Sequence, residues 1–338
     1  MSPLLKRGLQ FAAALGLGIV LVWWVFRNED PKVIMGQLSE AKWSWVLLTV
    51  LAAFVAHYAR AARWALMLQG SGYKTRTPIF FYSVMTGYLV NLALPRVGEV
   101  TRCATVSTKE NIPLPAVLGS VVAERLVDLF CLVLAIGIAL VVEYEKLWGF
   151  AAGILGSRLS GSGVWILMIG MVLLLAAASY TLWFFLWAPS AQMSPWRAKI
   201  RAMLLGLSKG LKGVLHLPSP MLFIFHTVLI WVGYFFMAWL VFKALPFTAD
   251  LGLGAGLAVL AMGGLAIVAP VPGGMGAYHW IITQTLLFYG LSETDGKTYA
   301  TLSHAIQFLF NLGIGALGYL LLTLSKTNEA NSSENTNA

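Results

Sequence analysis

The chain has 338 residues, of which 59% are apolar and only 11% charged, and its mean hydropathy is +0.78. Soluble domains carry about 25% charged residues, so this chain has too little polar surface to cover a water-facing globule, and lipid is its solvent. Its net charge of +9 is dispersed over loops with no recognition motif beside it, so nucleic acid is not an expected partner.

The first apolar run, residues 9–26, follows Lys6 and Arg7. Arg27, Asn28, Glu29 and Asp30 come directly after it with no small-residue cleavage pattern, which reads as an uncleaved first helix rather than a signal peptide. Further apolar segments lie at 43–69, 78–94, 115–142, 163–187, 221–245, 251–269, 277–291 and 298–324. A crossing helix needs about 20 residues, and short loops rich in Lys and Arg stay cytoplasmic. On that rule three stretches are cytoplasmic: Arg60, Arg63, Lys74 and Arg76; Arg96, Arg102 and Lys109; and Arg197, Lys199, Arg201, Lys209 and Lys212. The stretches with Glu29 and Asp30, Glu143 and Glu145, and Glu293 and Asp295 fall outside. Arg60 and Arg63 read as anchors that snorkel to headgroups from the end of the second segment.

Segment 78–94 then starts and ends on one side, which predicts a re-entrant hairpin with residues 115–122 as its returning half. The pair within 251–291 enters and leaves from outside around Pro270-Val-Pro-Gly-Gly-Met-Gly276. There Pro270, Pro272, Gly273, Gly274 and Gly276 break the helix in a turn at membrane depth. The predicted fold is all-α: about six crossings plus two re-entrant helical hairpins in an inverted repeat. The pseudo-repeats cover about 1–145 and 160–324 of a single membrane domain, 1–324, with both termini cytoplasmic. The competing fold is a plain bundle of eight or nine transmembrane helices with ordinary proline kinks. Residues 194–217 place Arg197, Arg201, Lys209 and Lys212 on one helical face and Ile200, Met203, Leu207, Leu211 and Val214 on another, predicting a cytoplasmic interfacial helix. Residues 325–338 form a polar tail expected to be disordered.

Charged residues inside apolar segments mark the candidate site. Each costs about 2.5 to 3.5 kcal/mol at the centre of a membrane helix, so Glu124, Arg125 and Asp128 must be paired, interfacial or lining water. Their spacings of three and four put them on neighbouring helical faces, and the readings are an internal ion pair or contact with substrate. Arg96 and Arg102 flank the turn made by Pro95 and Gly98. They are either a solvated positive-inside loop or guanidiniums that hold a lipid phosphate bidentately. Glu99 can neutralise Arg102, meet a cationic headgroup or carry a proton. His279, beside the second turn, is either a pH-sensitive group or simply hydrogen-bonded. His57, His216, His226 and His304 share no ligand spacing, and Cys103 and Cys131 have no CxxC or Cys/His pattern. Neither a metal, a disulfide nor a cofactor is expected. Gly252, Gly254 and Gly256, and Gly313, Gly315 and Gly318, favour close helix packing.

Two motifs carry a family resemblance: Asn91-Leu-Ala-Leu-Pro-Arg-Val-Gly-Glu-Val-Thr-Arg102 followed by Ala123-Glu-Arg-Leu-Val-Asp128, and the late turn of Pro272, Gly273, Gly274 and Gly276. Together they resemble the lysylphosphatidylglycerol-synthase transmembrane, or flippase-like, family over nearly the whole membrane portion. The resemblance implies a lipid-handling role in a bacterial inner membrane and adds Asn91 to the candidate headgroup-binding residues Arg96, Glu99, Arg102, Glu124, Arg125, Asp128 and His279. The pattern departs at His279, where the family implies a Glu. The soluble aminoacyl-transferring domain of some members has no counterpart in the polar tail, so lysyl-lipid synthesis is not expected.

Three functions follow. Translocation or scrambling of a phospholipid or polyprenyl-linked lipid is favoured by paired broken segments in opposite halves. An enzyme that modifies a lipid headgroup is disfavoured by the lack of a nucleotide loop, metal cluster or nucleophile motif. The third is a non-catalytic membrane partner of a lipid-synthesis enzyme. The expected partners are membrane lipids and that enzyme, and an oligomer stays open.

Overall fold

Proline-free apolar runs propagate as helices, and Pro or Gly sets where they begin and end. The computed structural model describes residues 16–143, 216–266 and 271–335. Among these residues there is no strand. The helices are α1 (Gly16–Phe26), α2 (Pro31–Ser39), α3 (Trp43–Gln69), α4 (Thr77–Ala93), α5 (Val97–Glu110), α6 (Leu114–Val142), α7 (Pro220–Ala244), α8 (Leu253–Ala266), α9 (Ala277–Leu287) and α10 (Glu293–Asn335). In α2, α4, α6 and α7 a Pro stands in the first turn, where its missing N–H leaves no hydrogen bond unmade. Among the described residues three helices are long and apolar enough to cross a membrane: α3, α7 and the Glu293–Leu324 part of α10. The predicted crossing at 163–187, nearly all of the predicted interfacial helix at 194–217, and Pro270 lie outside the described residues.

Helices α3 and α7 pack along their length, with Gly233 against Ala52 and Ala56 where small residues let the backbones approach. Two cores lie toward opposite ends of this pair. One gathers Trp64, Leu68, Phe80, Val84, Cys103, Val106 and Val117 from α3 to α6. The other gathers Val46, Phe242, Val259, Ile282 and Tyr299 from α3 and α7 to α10.

Each core holds a helical hairpin. In the first, α4 and α5 run antiparallel. Gly87 and Gly98 face each other so closely that a Cβ at Gly87 would lie 2.8 Å from the Gly98 carbonyl oxygen, and the Gly98 N–H donates to Asn91 Oδ1 at 2.8 Å. The returning limb is therefore α5, residues 97–110, and not residues 115–122, which begin α6 and run unbroken to Val142. The expected solvated loop is a helix because Gly98, Arg102, Cys103 and Val106 bury one face, while Glu99 and Arg102 neutralise each other one turn apart. In the second hairpin α8 packs on α9, with Gly263 opposite Tyr278 and Ile282. The hairpin turns meet, since the 3-10 turn Pro272–Gly274 packs on the end of α4 with Gly273 opposite Leu92.

At the far end from the first hairpin, Lys297 of α10 pairs with Glu29 at 2.7 Å and Glu293 at 3.0 Å. Gln37 donates to Asp295 at 2.6 Å. These bonds tie the α1–α2 corner to the start of α10. Helix α10 runs on to Asn335.

Candidate functional site

Three helices converge on a cluster of ionised side chains. Helix α3 supplies Arg60 and Arg63, whose neighbours Ala59, Ala61, Ala62 and Ala65 are small enough for α6 to approach. Helix α5 supplies Glu99 and Arg102, and α6 supplies Glu124, Arg125 and Asp128. Trp64 Nε1 donates to Ser120 Oγ at 2.8 Å and fixes α3 against α6 just below the cluster. The Arg102 guanidinium stacks over the Trp64 ring at 4.7 Å.

Asp128 accepts from both α3 arginines: Arg63 Nη2 lies 2.5 Å from Oδ1, and Arg60 pairs with Oδ2. Glu124, fully buried, lies 3.1 Å from Arg60 and 3.2 Å from Arg102. Glu99 bridges two arginines, with Oε2 2.6 Å from Arg102 Nη2 and Oε1 2.5 Å from Arg125 Nη2. The pairs within α6, Arg125 with Asp128 and Arg125 with Glu124, are the long ones at 3.8 and 3.9 Å. Pairing therefore runs between helices rather than along α6.

Charge does not balance. Among the described residues the cluster sets four guanidiniums, Arg60, Arg63, Arg102 and Arg125, against three carboxylates, Glu99, Glu124 and Asp128. The three buried guanidiniums match the three carboxylates in number, so the one positive charge left in excess falls toward the exposed edge at Arg125. Access is graded as well: Arg63, Arg102 and Glu124 are shut off, whereas the Arg125 and Glu99 side chains are 45% and 33% exposed. Beside Arg60, an apolar groove between α3 and α7 is lined by Phe54, Val55, Tyr58, Ala59, His226 and Leu229.

Of the candidate residues, Glu99, Arg102, Glu124, Arg125 and Asp128 come together here. Asn91 and Gly98 close the hairpin beneath them. Pro95 and Arg96 form its tip, where Arg96 is exposed and takes a left-handed φ of 65°. His279 lies apart, at the second turn. It is buried against Phe26 and His304, and His304 Nε2 is 2.8 Å from the Gly273 carbonyl oxygen. Gly273, Gly274 and Gly276 of that turn have φ of 58°, 76° and 78°, and Pro272 is buried. Arg60 and Arg63, which the sequence reads as anchors, join the cluster. Arg60 and Arg63 are core residues, 4% and 0% exposed, rather than interfacial anchors. The available signal was their position one turn apart in an alanine-rich stretch, with small residues where an anchor needs none.

With this geometry in view, the family model described as Lysylphosphatidylglycerol synthase TM region matches residues 11–315. The chain belongs to the lysylphosphatidylglycerol synthase TM region family. The match takes in both hairpins and every member of the cluster. Over 142 residues, 42% of its length, the chain is 25% identical to glycosyltransferase AglD of Haloferax volcanii. That match spans 23% of AglD, so the two proteins share one part. No solved structure matches the chain. The family is one of lipid-related membrane proteins.

Proposed function

We propose that the protein translocates or scrambles an amphipathic lipid, a phospholipid or polyprenyl-linked lipid, across a bacterial inner membrane. The observation that carries this reading is the buried arginine–carboxylate cluster, with one positive charge in excess and an opening to solvent at Arg125 and Glu99. An anionic headgroup supplies the missing charge, and the groove lined by Phe54, Tyr58 and Leu229 suits the attached hydrocarbon. The meeting of two hairpin turns supports the same reading, since broken helices from two halves frame transporter sites at membrane depth. In this account both hairpins are re-entrant, about six helices cross in an inverted repeat, and both termini are cytoplasmic. A second reading draws on AglD, which is named a glycosyltransferase and shares only part of its length with this chain: the protein is a membrane partner for a separate lipid-modifying enzyme.

The test is lipid movement in proteoliposomes, scored by headgroup accessibility across several labelled lipids. Wild type moves a lipid, and folded Arg96→Ala and Glu99→Gln proteins do not. Absence of movement by wild type, with or without a proton gradient, refutes translocation of those lipids. Stable co-purification with an enzyme then favours the partner reading.

A further inference from the structure

Glu99 holds its place differently from the other two carboxylates. Glu124 and Asp128 sit deep, with side chains 0% and 13% exposed, whereas Glu99 is 33% exposed. Its two oxygens are divided between two guanidiniums. Oε1 accepts from Arg125 Nη2 at 2.5 Å, and Oε2 accepts from Arg102 Nε at 2.9 Å with Nη2 in ion-pair contact at 2.6 Å. A phosphate group presents the same arrangement, with separate oxygens for separate guanidinium edges. Arg102 is fixed, being 1% exposed, stacked on Trp64 and paired with Glu124. Arg125 is 45% exposed and can follow a ligand. Glu99 stands in the first turn of α5, immediately after the exposed tip with its left-handed Arg96, and a carboxylate released there stays favourable at the helix N-terminus.

We infer that Glu99 is a built-in stand-in for a phosphate ester: substrate phosphate takes its place between Arg102 and Arg125, and Glu99 swings to solvent. The class of phosphate follows from the charge. A phosphodiester in place of Glu99 exchanges one negative charge for another and leaves the excess positive charge. A phosphomonoester carries about −1.5 to −2 at neutral pH and removes between half and all of it. The site therefore prefers a phosphomonoester headgroup. This deepens the translocation reading and rests on it for the source of the phosphate, while the exchange itself is a binding event and is measured without transport.

The experiment uses the full chain in detergent and measures affinity by calorimetry for short-chain phosphatidate, short-chain phosphatidylglycerol and glycerol 3-phosphate. Wild type is compared with Glu99→Gln and Arg125→Gln. Phosphatidate is expected to bind about tenfold more tightly than phosphatidylglycerol. Glu99→Gln removes the competitor and is expected to tighten phosphatidate about tenfold, and Arg125→Gln to weaken it by a similar factor. A purely structural Glu99 predicts no gain. Unchanged or weaker binding by folded Glu99→Gln overturns the exchange, and equal affinity for the two lipids overturns the phosphomonoester preference. If Glu99→Gln does not fold, Glu99→Asp carries the test, because its shorter side chain cannot bridge both guanidiniums and the same tightening is expected. Glycerol 3-phosphate matching phosphatidate overturns the lipid source in favour of free phosphate, and much weaker binding supports the lipid. Tightening in Glu99→Gln with no lipid movement by wild type in vesicles removes the translocation reading and keeps the site; movement by wild type without tightening in Glu99→Gln does the reverse.

Discussion

Replacing Asp128 with Asn tests how the cluster is held. Asp128 is the acidic partner of Arg63 at 2.5 Å and also pairs with Arg60, and its side chain is 13% exposed. Arg60 keeps Glu124 at 3.1 Å. Arg63, wholly buried, keeps only a 3.4 Å bond to Thr227 Oγ1 and the Phe223 ring at 5.9 Å among its described contacts of this kind. Removing one partner of a buried ion pair strands the other charge and costs about 3 to 5 kcal/mol. Little solvent screening reduces that figure at this depth. Taking both charges away, in Arg63→Met with Asp128→Leu, removes the stranded charge, and the double variant is expected to recover at least about 2 kcal/mol of the loss. Reversible unfolding of wild type, Asp128→Asn and the double variant in mixed micelles measures both quantities. The reasoning fails if Asp128→Asn lies within about 1 kcal/mol of wild type, or if the double variant is no more stable than the single one.

Three further outcomes follow from the turns and the far end. Gly98→Ala puts a Cβ 2.7 Å from Asn91 Oδ1 and into the Gly87 carbonyl, which should cost about 1 to 3 kcal/mol in unfolding measurements, against about 1 kcal/mol for Asn91→Ala, which loses one hydrogen bond. Gly276→Ala combines a φ of 78° with a Cβ 3.0 Å from Val22 N of α1, and a loss of about 1 to 3 kcal/mol is expected. Glu29 is held below the ordinary carboxylate range by its hydrogen bond to the Lys297 ammonium, against the opposing effect of burial. Because its folded value lies below its unfolded one, its stabilisation is complete above the ordinary range and is lost as pH falls through the folded value. The Tm advantage of wild type over Glu29→Gln should therefore be full at neutral pH and close below about pH 4; an advantage that persists in acid contradicts the pairing.

Hydropathy made the long helices legible. Segment 43–69 coincides with α3, and 115–142 and 221–245 lie within one residue of α6 and α7 at either end. The density of Pro and Gly at 270–276 marked the second turn. Helix α5 was hidden because Glu99, Thr101, Arg102, Thr105 and Lys109 make it read as polar loop, and only the partner helix shows that Gly98, Arg102, Cys103 and Val106 form a buried face. Glu124, Arg125 and Asp128 were recognisable because charge is costly in an apolar run. Their partners were not, since pairing joins α6 to α3 across more than sixty positions of sequence. A positive-inside rule assigns Arg60 and Arg63 to a loop end because it weighs sequence position and has no term for a carboxylate arriving from another helix.

The most direct measurement is photo-cross-linking of a lipid that carries its reactive group on the phosphate headgroup, in membranes holding the full chain, followed by mapping of the labelled peptides. The account predicts label within Val97–Glu110 and Leu114–Val142, lost in Arg125→Gln. Label confined to other helices, or unchanged in that variant, would contradict passage of the headgroup over the cluster.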